Sequence, residues 1–312
     1  MAQHTAIYFA PLQGFSDYVY RNAHSRYFEG VERYFTPFLR LDGGELRTKD
    51  GVDLDNSKLE RGSLVPQIIA NGGAEADALI QYVADRGYGV CDINFGCPFP
   101  QQTSKMRGCG ILSHPDRVLE VMKATANHPD LKFSVKLRLG NTNKNEYLAI
   151  VDILNDAPLS YVTIHPRIGK QMYSGRMDLE AFADFKSRLR HPVVFNGDLC
   201  TERQIVDVIN NFPDLQAVMI GRGLLANPFL AENYCNDTPD RFDAARYMDF
   251  VDALLHGYLQ QYGSEFMALD KMKTFWTYPL PGVDKKRVKA VQKARSLAEF
   301  MTQVAIIVHP LR

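Results

Sequence analysis

Residues 132–165 read KFSVKLRLGNTNKNEYLAIVDILNDAPLSYVTIH. The stretch opens on a strand-like alternation, Lys132–Leu137. It passes through apolar residues at three-to-four spacing, Lys144–Asn155, and closes on a second strand-like run, Ser160–His165. A period of two giving way to 3.6 and then returning marks a strand–helix–strand unit, which joins parallel strands. The pattern repeats outward in both directions. Toward the N-terminus stand Thr5–Ala10, Arg33–Phe38, Leu64–Ala70 and Val90–Phe95, and toward the C-terminus Pro192–Asn196 and Gln216–Ile220. Helical patterns over Ala74–Arg86, Pro115–Ala126, Leu179–Leu189 and Thr201–Asn211 separate most of them. Ser16-Asp17 and Thr201-Glu202 are helix-start signals. Eight strands alternating with helices predict an α/β fold, a (β/α)8 TIM barrel rather than an open doubly wound sheet.

The strand pattern stops at Asn236-Asp237-Thr238-Pro239. Beyond it, Phe242–Tyr262, Glu265–Thr277 and Asp284–His309 carry helical periodicity, with Pro279-Leu280-Pro281-Gly282 as a hard turn. The expected organisation is a catalytic barrel over residues 1–236 and a small all-helical C-terminal domain over residues 237–312.

Composition narrows the class. At 312 residues, 46% hydrophobic and 23% charged, the chain can bury a large core, which excludes disorder. Thirty-six Lys and Arg balance thirty-six Asp and Glu, excluding a polybasic protein while leaving room for a local basic face. No apolar run approaches a membrane span, and the N-terminal residues lack the features of a secretory signal. The five cysteines contain no CxxC pair, so neither a disulfide framework nor a structural zinc site is expected. A soluble cytoplasmic protein with no membrane association is the expectation.

In a barrel of this kind the chemistry sits at the C-terminal ends of the strands. The first strand there runs into Ala10-Pro11-Leu12-Gln13-Gly14, the third carries Gln67, and the fourth leads into Asn94-Phe95-Gly96-Cys97-Pro98. The fifth holds Lys136 and Arg138, the sixth ends at His165-Pro166-Arg167, and the last two end at Asn196-Gly197-Asp198 and Gly221-Arg222-Gly223. Taken singly, Gly14 and Gly197 read equally as tight turns, Gln67 as a satisfied buried amide and His165 as a core histidine. Lys136 resists that treatment, because an ammonium inside an apolar strand needs a partner. The two glycine loops after the last strands are where barrels bind phosphate, with Arg222 adding charge. Cys97 sits on a turn set by Gly96 and Pro98, where a thiol can donate a proton or attack; Cys109 on the same loop is the competing thiol.

Together these residues resemble the tRNA-dihydrouridine synthases. The resemblance rests on Ala10-Pro11-Leu12-Gln13-Gly14, Gln67, Asp92-Ile93-Asn94-Phe95-Gly96-Cys97-Pro98, Lys136-Leu137-Arg138, His165, Asn196-Gly197-Asp198 and Gly221-Arg222-Gly223. It implies FMN in the barrel mouth, NADPH or NADH as reductant, and a uridine of tRNA as substrate. By the same resemblance Pro11, Leu12 and Gln13 would line the flavin, Gln67 would bond its ring edge, Lys136 would face its N1/O2 edge, and His165 would contact it. Asn196, Gly197, Asp198, Gly221 and Arg222 would hold its phosphate. Asn94 and Arg138 would face the uracil, hydride would reach C6 from flavin N5, and Cys97 would protonate C5. The chain departs from the family pattern at Phe99-Pro100-Gln101-Gln102, at Gly108-Cys109-Gly110-Ile111 and at His165-Pro166-Arg167. Thr36-Pro37-Phe38-Leu39-Arg40 is similar to the matching segment of the C subfamily, which acts on the D-loop.

Net neutrality does not remove an RNA face. Lys271–Arg295 holds eight basic residues against Asp284 alone, and Lys285, Lys286 and Arg287 at its centre are candidate phosphate contacts, although a solvated helix face looks the same. Three other functions fit parts of the pattern: an FMN barrel reducing a free small molecule, a sugar-phosphate barrel with Lys136 as a Schiff-base amine, and a catalytically inactive tRNA-binding protein.

Overall fold

A computed structural model describes residues 4–310. Its strands are β1 (Ala6–Phe9), β2 (Val31–Phe35), β3 (Leu41–Asp42), β4 (Glu45–Leu46), β5 (Ser63–Val65), β6 (Gln67–Ile68), β7 (Val90–Phe95), β8 (Lys132–Gly140), β9 (Leu159–Ile168), β10 (Val193–Asn196) and β11 (Ala217–Ile220). Nine of them form one parallel sheet in the order β5-β2-β1-β11-β10-β9-β8-β7-β6. The run expected as one strand over Leu64–Ala70 is broken at Pro66, whose missing N–H interrupts the ladder. β5 pairs with β2 and β6 with β7, so the barrel closes through the proline itself. The Thr36 N–H donates to the Val65 carbonyl at 3.1 Å, and the Asp92 N–H to the Pro66 carbonyl at 2.8 Å.

Other boundaries shift for local reasons. The second strand ends at Phe35 rather than Phe38, just ahead of Pro37. The polar stretch Asp42–Gly62 contains an element the periodicity did not reveal, the helix Thr48–Asp55, which follows the β3–β4 hairpin. The last expected helix is two, Lys285–Lys293 and Leu297–Val308. Ser296 caps the second one by accepting from Glu299 N at 3.1 Å, while the Glu299 carboxylate accepts from Arg295 N at 2.7 Å; that reciprocal cap restarts the helix.

Strand periodicity sorts the side chains. Ile7, Phe9, Ile93, Phe95, Val135, Leu137, Val162, Ile164, Phe195 and Val218 face outward into the core under the helices. Tyr8, Phe35, Val65, Tyr161, Val194, Ala217 and Met219 form a separate apolar cluster inside the barrel. Above it the inward positions turn polar. Register places Asp92 beside Ser134, Asn94 beside Lys136, and Arg138 beside His165.

The helices after residue 237 share the barrel's core. Left-handed backbone at Asp237 and Asp240 (φ 51° and 59°) marks the break, yet Tyr20 stacks on Phe275 at 5.1 Å and Phe28 meets Phe250 edge-on at 5.0 Å. Lys271, counted in the basic stripe, is spent on this junction. Its Nζ lies 2.8 Å from Asp17 Oδ2 and donates to the Gly14 carbonyl at 2.8 Å, while the Tyr258 hydroxyl donates to Asp17 Oδ1 at 2.7 Å. Lys271→Met therefore strands a largely buried carboxylate and should cost about 2 kcal/mol, the usual loss for a charged hydrogen bond, read as a lower urea midpoint at constant m. An unchanged midpoint would refute the junction role. Among the described residues no helix is long and apolar enough to cross a membrane.

Candidate active site

A cavity with room for about 140 Å3 of water, open to solvent, occupies the C-terminal mouth of the barrel. Thirteen of the residues proposed from sequence line it: Pro11, Leu12, Gln13, Asn94, Cys97, Lys136, Arg138, His165, Asn196, Gly197, Asp198, Gly221 and Arg222. They arrive from six strands and come together because parallel strands in register end at one level. Gln67 is fully buried and does not line the cavity; Lys285, Lys286 and Arg287 are exposed on their own helix and do not line it either.

Cys97 stands on a turn held from both sides. Asn94 Oδ1 accepts from the Gly96 and Cys97 N–H groups at 3.0 and 2.8 Å. On the far side Cys109 N donates to the Cys97 carbonyl at 3.0 Å. Gly108 (φ +58°) lies so close beneath that a Cβ there would meet the same carbonyl at 2.4 Å. Burial pushes the Cys97 thiol above its ordinary range, against weaker pulls from Phe99 N–H, Arg138, Lys136 and Arg40, so at neutral pH it carries its proton. Cys109 is a different case. It is fully buried, donates to Asn141 Oδ1 at 3.5 Å, is pushed up to about 12 by burial, and does not line the cavity.

Lys136 projects inward from β8 and makes no ion pair among the described residues. Burial lowers it to about 8, with Arg138 adding to the shift and Asp92 opposing it. Arg138 is a brace. Its Nε donates to the Gly96 carbonyl at 3.0 Å and its Nη1 to the Ile168 and Met172 carbonyls at 3.1 and 2.7 Å, tying the Cys97 turn to the loop after β9. His165 is held neutral, far below its ordinary value, first by burial and then by the surrounding Arg138, Lys136, Arg167 and Arg222 charges. Its Nδ1 is buried with no protein partner.

The two glycine loops meet at the other side of the mouth. A Cβ on Gly223 would sit 2.0 Å from the Leu199 carbonyl, so only glycine lets the loops touch. Asn196 Nδ2 donates to the Met219 carbonyl at 2.7 Å, locking β10 to β11. Asp198, left-handed at φ 43°, is gripped by Arg167 and by Arg222 Nη2 at 2.7 Å, and Arg167 is what chiefly holds its carboxyl below the usual range. Tyr173 lies under both Arg138 and Arg222, 5.4 and 4.7 Å from ring centroid to guanidinium.

Several lining residues were not among the site residues expected from sequence. Tyr173 sits in a loop without a motif, and Pro37 and Phe38 stood in a segment read as strand. Tyr278 comes from the helical region, 55 residues beyond the last barrel motif at Gly223, where the sequence reads equally as a base-stacking or a packing aromatic, and is placed by Phe15, ring centroids 5.2 Å apart. Arg167 was visible only as the end of His165-Pro166-Arg167; its ion pair with Asp198 is tertiary.

A parallel barrel whose mouth combines a half-buried lysine without an ion pair, a protonated thiol and two close-packed glycine loops has the architecture of an enzyme active site. The dihydrouridine synthase family model matches residues 8–308, and the chain belongs to that family. It is 26% identical over 225 residues to tRNA-dihydrouridine synthase B of Pasteurella multocida, covering 72% of this chain and 67% of that protein. It is likewise 26% identical over 268 residues to a probable tRNA-dihydrouridine synthase of Rhodobacter capsulatus, covering 82% and 80%. Among solved structures the fold resembles a morphinone reductase variant in complex with tetrahydroNAD, at TM-score 0.54 and 10% identity over 78% of this chain and 90% of that one. It also resembles a 2-naphthoyl-CoA reductase, at TM-score 0.58 and 10% identity over 80% of this chain and 54% of that one.

Proposed function

We propose that this enzyme reduces a uridine of tRNA to 5,6-dihydrouridine, using FMN held in the barrel mouth and NADPH or NADH as the source of electrons. The observation that carries the reading is the convergence of a half-buried lysine, a protonated thiol and the paired glycine loops on one cavity. The residues suit FMN. The His165 Nδ1 is buried and orphaned, the half-buried Lys136 ammonium has no ion-pair partner, and the Asn196-Gly197 and Gly221-Arg222 loops present backbone and charge for a phosphate. Flavin bound here supplies hydride to an electron-poor ring carbon. Pro11 and Leu12 with the Gln13 amide beside them then line the flavin, Lys136 balances negative charge at the mouth floor, and Asn94 with Arg138 faces the base. Cys97 delivers its Sγ proton to the uracil C5. Arg222 turns from Asp198 toward the phosphate, leaving Asp198 to Arg167.

A base acted on here must leave its stack to reach the mouth. Pro37 and Phe38 of the Thr36–Arg40 segment and Tyr278 of the helical region line the entrance, which supports a D-loop uridine read jointly by barrel and helices. Lys285, Lys286, Arg287, Lys289, Lys293 and Arg295 are all exposed and form a phosphate-binding face in the helical domain of residues 237–312. Reversing Lys285, Lys286 and Arg287 to Glu should weaken tRNA binding and flatten its log–log salt dependence by roughly 2–3, without loss of yellow colour. Unchanged binding would move the RNA face elsewhere.

The test of the whole reading is a visible spectrum of the purified protein, followed anaerobically by NADPH and then unmodified tRNA. Flavin bands that bleach with NADPH and return only with tRNA support it. Return with a free enone or a free pyrimidine in place of tRNA would favour the small-molecule reductase, and a colourless protein that takes up no FMN would overturn the proposal.

A further inference from the structure

Beneath the mouth lies a hydrogen-bonded chain that the chemistry does not touch. Asp92, fully buried inside β7, accepts from Ser134 Oγ at 2.5 Å and from Gln67 Nε2 at 2.7 Å. Gln67 Oε1 in turn accepts from Asn94 Nδ2 at 2.8 Å, and Asn94 Oδ1 accepts from the two N–H groups of the Cys97 turn. Gln67 is anchored independently by its backbone N–H, which donates to Thr36 Oγ1 at 2.9 Å.

We propose that Asp92 is a positioning residue for the proton donor: as an acceptor-only anion it fixes the polarity of the Gln67 and Asn94 amides, and thereby the seat of Cys97. The reasoning is one of satisfiability. An ionised carboxylate can only accept, so Gln67 must turn its NH2 toward Asp92 and its oxygen toward Asn94. Asn94 must then spend its NH2 downward, which leaves its oxygen for the Gly96 and Cys97 N–H groups. Were the chain reversed, the Asn94 NH2 would face two further donors and the turn would lose both bonds. Each amide alone can take either orientation; the buried anion at the end of the line removes the choice. Burial pushes Asp92 up to about 7, while Gln67, Ser134 and Lys136 pull it back. Assays at pH 8 keep it ionised. The inference rests on the functional reading above for its consequence, but not for its geometry.

Asp92→Leu removes the acceptor with little change in size, whereas Asp92→Asn keeps an oxygen for Gln67. With FMN-loaded protein, two readouts are taken. The first is iodoacetamide labelling of Cys97 resolved by peptide mass spectrometry, which needs no turnover. The second is single-turnover reduction of tRNA by enzyme already reduced with NADPH. Asp92→Leu should speed labelling of Cys97 while Cys109 stays protected. It should also slow single turnover on the order of 10²-fold, the cost of misplacing a reacting group by about an ångström, with the rate of flavin bleaching by NADPH unchanged. Asp92→Asn keeps an acceptor for Gln67 but no longer forbids the reversed orientation, so it should restore both readouts only in part. In a Cys97→Ala background Asp92→Leu should cost nothing more, since it acts through the thiol. Wild-type labelling and turnover in a folded Asp92→Leu, or an additive effect in the double variant, would overturn the assignment. If Asp92→Leu does not fold, Gln67→Met cuts the same chain one bond nearer the thiol and must likewise speed labelling of Cys97, with normal Cys97 labelling overturning the proposal. Protein that reduces no tRNA in any form sinks the functional reading alone, and the labelling result still decides the role of Asp92.

Discussion

Cys97→Ala should bind FMN and be bleached by NADPH at the normal rate, yet return electrons to tRNA roughly 10²–10⁴ times more slowly, the range lost with a general acid. The expectation follows from two features of the thiol. It lines the mouth, and burial raises it above its ordinary value, so it holds a proton to give. The sign of the pH dependence follows too. The donor form is the protonated one, so single turnover in the wild type should stay level through neutral pH and fall only as the pH passes above about 9, the thiol's unshifted value. Cys109→Ala is the control. Its side chain is packed against Gly169 and pointed at Asn141, and removing it should leave turnover intact. A Cys97→Ala enzyme with normal turnover, beside a dead Cys109→Ala, would transfer the acid role to Cys109.

Lys136→Met should give the second large effect, and on the other half of the reaction. The ammonium is half-buried without an ion pair, so its charge is available to any negative charge that develops at the mouth floor. Removing a preorganised electrostatic partner of this kind costs on the order of 10²–10³ in rate. Bleaching by NADPH should slow by that factor, the flavin midpoint potential should fall, and Cys97 labelling should hardly change. In the wild type, FMN affinity should weaken as pH rises through about 8, where the unliganded lysine loses its proton. The Met variant should lose that pH dependence. A variant with unchanged potential and unchanged bleaching would remove Lys136 from the flavin site. Borohydride trapping of a carbonyl ligand on Lys136 would instead favour the Schiff-base barrel.

Much of this was readable in the chain because barrel geometry converts sequence position into spatial position. An inward residue near the end of a parallel strand lies at the mouth wherever in the chain that strand falls. Asn94, Lys136, Arg138, His165 and Asn196 could therefore be gathered from strand ends alone, and the structure brings them to one cavity. The glycine loops were legible for the same reason, whereas the break at Pro66 fell inside a run that reads as one strand, Leu64–Ala70.

What stayed hidden depends on contacts between distant segments. Tyr278 enters the mouth because the helical region packs on Phe15 and Tyr20, and no local pattern encodes that approach. Lys271 looked like one more member of a basic stripe until Asp17 claimed it. Gln67 looked like a mouth residue, but Asp92 and Asn94 consume its amide one layer down. The two cysteines of the same loop could not be ranked by spacing; the cavity and the Gly108 contact separate them. Periodicity and turn chemistry are local, and they determined the barrel, its polar end and the chemical types assembled there. Which polar groups remain free for a ligand and which are spent on one another is set by long-range pairing in a low-dielectric interior, and only the tertiary structure decided that.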